Sequence, residues 1–325
     1  MNNVDRDKYI SLCLLGDYNK IASYLAEFDD SHKLLEKYKS VFEGDTYLLE
    51  ADDKRIASFL RIYEDFLKWM LKTNPTTVEA ENAIVQKLKP FFPRAGFIAK
   101  FSKRLAYLSL HVHVPRFFKQ YGYHAIFGTV DIYPNLVLWR KQTARKETVD
   151  LPDGQVEIEV VEMDGLITRG WVDYLSMGEI GTGGWVTKKG CTYFKEKYDI
   201  ERDEFKVSLL KHEGQHFFDK KSHRKMNSVD LEYRAKLVEL IYHKEMNTFF
   251  HFLGNMATTD DKTRPHAYAE RRIVQGLSLK VFGVEMEASK DTWKARYKEI
   301  PTAARELLNE HNKMMIGWNG KNILI

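Results

Sequence analysis

The stretch Leu209-Leu210-Lys211-His212-Glu213-Gly214-Gln215-His216-Phe217-Phe218 decides how this chain is read. His212 and His216 are four residues apart in a segment of strong helical character. At 3.6 residues per turn they lie on one face, one above the other. Two imidazoles so placed can hold one zinc ion, each through one nitrogen. Glu213 borders the same face and can reach water at the metal without being a ligand, which is the mechanical content of an H-E-x-x-H helix. Glycine inside a helix costs about 1 kcal/mol relative to alanine, so a close approach by a neighbour is expected at Gly214. The apolar flanks predict a helix packed inside the protein, where two histidines and a glutamate need partners.

A catalytic zinc ion takes three protein ligands and keeps one position open. Several residues could supply the third ligand. Glu232 is favoured, because it lies near the start of the next helix and a short loop can turn that helix back onto the motif. Glu239 and His243, close to the same helical face, are candidates for orienting the ligands through hydrogen bonds.

Outward from the motif, the chain reads as helices, then strands, then helices: an α+β fold. Residues 1–104 form a helical N-terminal region and 105–325 a second domain with a small twisted sheet and a helical C-terminal part. In the first region, apolar spacing predicts a helix over 7–28 broken near Gly16-Asp17, and an amphipathic helix over 52–72 ending before Asn74-Pro75. Thr76 and Glu79 have the spacing of a capping box opening another helix to about Lys89. After residue 104, alternation predicts strands over 108–114, 126–138, 156–161 and 166–175, with turns at Pro152-Asp153-Gly154 and Asp164-Gly165. Helices are expected again over 201–220, 229–252 with Ser228 as N-cap, 266–281 and 291–309.

The 325 residues are 44% hydrophobic and 30% charged, as in ordinary globular proteins. The net charge of +4 is small and dispersed, which gives no reason to expect nucleic acid or an anionic membrane as a partner. Cys13 and Cys191, the two cysteines, are read as reduced thiols. The start has no signal-peptide pattern and no segment approaches the length of a membrane span, so a cytoplasmic location is the expectation.

His212-Glu213-Gly214-Gln215-His216, followed by Leu231-Glu232-Tyr233-Arg234-Ala235, resembles the gluzincin branch of the zincin metallopeptidases over about residues 180–275. The resemblance implies a zincin-like domain over 105–325, a Zn2+ cofactor held by His212, His216 and Glu232, and Glu213 as general base for hydrolysis of a peptide or protein substrate. It also implies an edge strand lining the substrate cleft, for which Glu179 to Thr187 is well placed. His266 and Tyr268, after Pro265, are the candidate donors to a developing oxyanion. Two other classes compete: a non-catalytic helical interaction protein that keeps a structural or regulatory zinc site, and a DNA-associated metalloprotease, which no zinc ribbon or basic tail supports.

Overall fold

The computed structural model describes residues 4–28, 31–187, 189–223, 225–255 and 265–316. The chain is mixed α+β and divides into two units, one comprising residues 1–142 and 163–183, the other 143–162 and 184–325.

The first unit holds α1 (Arg6–Leu14), α2 (Tyr18–Leu25), α3 (His32–Phe42), α4 (Lys54–Thr73), α5 (Thr77–Lys87), α6 (Pro93–Ile98) and α7 (Lys103–Gln120). The expected break near Gly16-Asp17 separates α1 from α2, where the Asp17 side chain accepts from the Lys20 amide. The capping box at Thr76 and Glu79 is present in both directions. Ile56, Phe59, Leu60, Tyr63, Phe66, Leu67 and Met70 form the buried stripe of α4. A ring cluster of Phe59, Phe91, Phe117 and Phe118 ties α4 to α7.

Residues 108–114 are helical, not a strand. Over the seven residues alternation reads as period two, yet Ala106, Tyr107, Leu110, Val114, Phe117 and Phe118 form a buried helical face. Ser102 caps α7 by accepting from the Leu105 amide. Because α7 packs on α5 and α6, the first unit runs on past residue 104.

The strands are β1 (His124–Val130), β2 (Tyr133–Leu151), β3 (Gly154–Thr168), β4 (Gly184–Val186) and β5 (Gly190–Phe194), hydrogen-bonded in the order β1-β2-β3-β5-β4. The β2–β3 hairpin turns at Pro152-Asp153, as its turn residues predict, and each unit contains part of it. Two expectations fail here. Asp164-Gly165 lies inside β3, where Gly165 takes the left-handed φ of 69° that its missing Cβ permits. Residues 171–175 form a short helix, α8 (Trp171–Leu175), opened at Gly170 (φ 108°), so the strand expected over 166–175 stops at Thr168.

The second unit contains its share of the hairpin, then β4, β5, α9 (Asp203–Phe205), a π-helical segment (Lys206–Lys211), α10 (His212–Ser222), α11 (Ser228–Tyr242), α12 (Asn247–Asn255), α13 (Pro265–Phe282), α14 (Lys290–Ala295) and α15 (Ile300–Met315). The expected helix over 229–252 is two helices. Its N-cap is Asn227, whose side chain accepts from the Asp230 amide, and Ser228 is already helical. The core of this unit joins Val149, Val156 and Ile158 of the hairpin to Leu237, Ile273, Trp293 and Leu308 of the helices. Among the described residues no helix is long and apolar enough to cross a membrane.

Candidate metal centre

The site lies within the second unit and is built on α10 and α11. The helix α11 is buried from Asp230 to Leu240, packed among α10, α13 and α15. A helix enclosed on all sides is ordinarily apolar all round. This one carries Asp230, Glu232, Arg234, Lys236 and Glu239, and each has a partner. Asp230 meets His311 at 3.2 Å, Arg234 meets Asp219 at 2.8 Å, and Lys236 meets Glu270 at 2.8 Å. Those three pairs fix α11 against α15, α10 and α13. Breaking a buried pair on one side costs about 3–5 kcal/mol, so the helix that carries Glu232 is held rigidly.

His212 and His216 project from one face of α10 with their Nε2 atoms 3.1 Å apart. Glu232 meets them from α11. Its Oε2 is 3.5 Å from His212 Nε2 and its Oε1 is 3.3 Å from His216 Nε2. In a tetrahedral site with metal–ligand bonds of about 2.0–2.1 Å, neighbouring ligand atoms stand about 3.3–3.4 Å apart. The two distances to Glu232, measured to different carboxylate oxygens, lie near that edge length and the distance between the histidines is a little shorter, and one donor atom from each residue lies within 4.8 Å of the others, so the trio could close on one small cation. Among the described residues this trio is the one group of histidine, cysteine or carboxylate side chains with such convergence.

Glu239, almost two turns beyond Glu232 on α11, accepts from His212 Nδ1 at 2.6 Å. With a metal at the trio, that bond would keep the one remaining ring proton on Nδ1 and leave Nε2 as the ligand atom. Burial alone would depress the His212 imidazolium, but its bonds to Glu232 and Glu239 outweigh burial and hold its pKa up to about 10. Burial likewise opposes charge on Glu232 and Glu239. The histidines hold Glu232 far below the ordinary carboxylate range, and His212 lowers Glu239 as well. Cationic character is therefore drawn into this spot. His243 lies beside Ser208 of the π-segment, its Nε2 3.3 Å from the hydroxyl, and Ser208 in turn bonds Glu239. It reaches the ligands only through that chain.

His266 stands on the outer side of Glu232, its Nδ1 2.9 Å from Oε2, with the side chain 67% exposed. Tyr268 is buried. A helix turns 100° per residue, so the two side chains leave α13 about 200° apart and do not face one substrate together. Glu213 Oε2 is buried with no hydrogen-bond partner among the described residues, and so is His216 Nδ1. An unpartnered buried carboxylate oxygen is costly unless something occupies the space beside it.

Gly214 is explained by the hairpin. A Cβ there would lie 3.0 Å from Val149 Cγ1 and 3.5 Å from Val156 Cγ1, so α10 rides directly on β2 and β3. The segment before His212 is π-helical from Lys206 to Lys211, a widened turn that is uncommon outside functional sites. Sequence reasoning did not find it, nor Asp219, Arg234, Lys236 and Glu270. The available signal for the latter was the run of charges around a helix whose neighbours are Leu231, Leu237, Val238 and Leu240. Of the segment 179–187, only Gly184–Val186 is strand, and β4 is an edge of the sheet.

No protein-family model, curated protein or solved structure matches the chain.

Proposed function

We propose that this protein is a zinc-dependent peptidase of the gluzincin type, with His212, His216 and Glu232 as ligands and Glu213 as general base. The observation that carries the reading is the convergence of the two imidazole Nε2 atoms and the Glu232 carboxylate, with each carboxylate oxygen 3.3–3.5 Å from one imidazole and Glu239 orienting His212 from behind. Two imidazoles and a carboxylate are borderline donors suited to zinc. Three protein ligands leave the fourth position for chemistry, which favours an enzyme over a structural site.

A bound zinc ion supplies Lewis acidity, making water a better nucleophile and a carbonyl a better electrophile. The protein supplies the rest. Glu213, the carboxylate next to His212 with an unpartnered oxygen, takes the proton of the attacking water and passes it to the departing amine. His266, tied to Glu232 through Nδ1, would donate from Nε2 to the oxygen that gains charge when its ring carries both protons. Glu239 keeps His212 in the tautomer that offers Nε2.

Elemental analysis of the wild type, His212→Ala and Glu232→Ala tests the metal, and Glu213→Gln tests the base. About one zinc per chain, lost in both ligand variants, with Glu213→Gln retaining metal and losing cleavage of a peptide library, is the expected pattern. A wild-type protein that holds no zinc when prepared without chelators sinks the reading.

A further inference from the structure

Beside α10, a cavity of about 1060 Å³ is lined by residues of β3, of β4 and the loop after it, and of α10 itself. Val156, Val186 and Phe217 form its apolar walls, and Glu157, Lys220 and Lys221 its charged ones. The carboxylate is already neutralised, since Glu157 pairs with Lys146 at 2.6 Å. Neither lysine has an ion pair or hydrogen bond among the described residues. Their place in the last turn of α10 complements the helix dipole, which accounts for their charge but not for the cavity beneath them. The charge left facing the cavity is positive, and Gln155 and Thr187 complete its polar lining.

The position follows from helix geometry. Glu213, Phe217 and Lys221 succeed each other at four-residue spacing, so they share a stripe of α10. At 1.5 Å per residue, Lys221 is about 12 Å along the axis from Glu213. An extended peptide advances about 3.3 Å per residue, so a chain reacting at Glu213 reaches the lysines within about four residues.

Building on the peptidase reading, we propose that this cavity is a specificity site for an acidic side chain, aspartate or glutamate, lying within about four residues of the reacting bond. Phe217, Val156 and Val186 take the methylene stem, and Lys220 and Lys221 take the carboxylate. Lysine offers a point charge on a flexible stem rather than a planar fork, so the site reads charge and tolerates either acid.

The test is equilibrium binding, read by fluorescence anisotropy with zinc-loaded Glu213→Gln protein. The probes are terminally blocked peptides carrying one glutamate at successive positions, with glutamine counterparts. The glutamate peptides should bind about tenfold more tightly at one or two adjacent positions, as expected for two partly exposed pairs. That preference should shrink to less than about twofold in a Lys220→Gln/Lys221→Gln background whose zinc content and circular dichroism are unchanged. Equal binding of glutamate and glutamine peptides at every position, or a preference that survives loss of both lysines, overturns the proposal. Cleavage by the wild type is scored separately. A lysine-dependent preference without cleavage removes the peptidase reading and leaves the acidic site standing. Cleavage indifferent to the acid removes the acidic site and leaves the peptidase.

Discussion

Replacing Gly214 by alanine tests how α10 is seated. In an open helix the change would stabilise by about 1 kcal/mol, the difference in helix propensity. Here the new Cβ would stand 3.0 Å from Val149 Cγ1 and 3.3 Å from Val149 Cβ. Carbon atoms prefer about 3.5–4.0 Å. Either Val149 or the helix must therefore yield by a few tenths of an ångström. Val149 is buried, β-branched and on a strand, so its χ1 is stiff and it has little room to turn. Overpacking of this kind costs about 1–3 kcal/mol. Set against the propensity gain, Gly214→Ala should destabilise by about 0–2 kcal/mol. The sign should reverse once the obstacle is gone. In a Val149→Ala background the 3.0 Å contact is removed and the 3.3 Å contact to Cβ remains, so the same change should stabilise by up to about 1 kcal/mol, giving a coupling of up to about 3 kcal/mol across the pair. Urea titrations of the four proteins measure it. Zinc affinity should fall in Gly214→Ala alone, because displacing α10 from the hairpin disturbs the spacing that His212 and His216 hold with Glu232. A Gly214→Ala protein that is stabilised by the full propensity gain, with the same shift in both backgrounds, would refute the seating described here.

Glu239→Gln should weaken zinc binding by about 10–100-fold, the usual consequence of losing a ligand's orienting carboxylate, as read by competition with a chromogenic chelator; an unchanged affinity would remove Glu239 from the site. Zinc must displace the proton that the carboxylates hold on His212, whose pKa is about 10. Affinity should therefore rise about tenfold per pH unit from neutrality towards that value, and a flat profile over the same range contradicts it. In the first unit, burial raises Glu64 above its ordinary value despite the Leu48 and Leu49 amides donating to it. The folded state thus holds this proton more tightly than the unfolded one. The contribution is present below the unfolded carboxylate pKa and is lost as pH rises through the raised folded value. Glu64→Gln should flatten that decline in denaturation midpoints, and an identical slope in both proteins would rule Glu64 out as its source.

The parts of the site that were legible in the sequence are those in which spacing dictates geometry. Two histidines four apart on a helix must share a face, and Glu232 and Glu239, seven apart, lie close to one face of α11. The structure brings all four together. What the sequence did not show depends on tertiary neighbours. Gly214 announces a close approach, but Val149 sits on a hairpin far away in the chain. Nothing local marks Arg234 and Lys236 as buried, because their partners Asp219 and Glu270 lie on other helices. Tyr268 and His266 look like a pair in sequence, yet two residues apart on a helix is close to opposite sides. The misreading of 108–114 has a similar root. A short alternating run fits period two, and the longer helical face emerges only when Ala106 and Phe117 are counted with it.

The π-helical turn from Lys206 to Lys211 has a bearing on how this site could arise or be lost. A π-turn amounts to one residue more than an α-helix needs for the same advance. The widened turn takes up that surplus, so Phe205, anchored in the core ahead of it, and the histidines that follow keep the phase an uninterrupted helix would give them. Deleting one residue from the turn would let it relax into regular helix with both flanks still in phase. Deleting one residue between His212 and His216 would instead turn the second histidine by about 100° away from the first. The site is thus bound to the spacing of its own letters, and the residue a chain could shed here without silencing it lies in the turn just upstream.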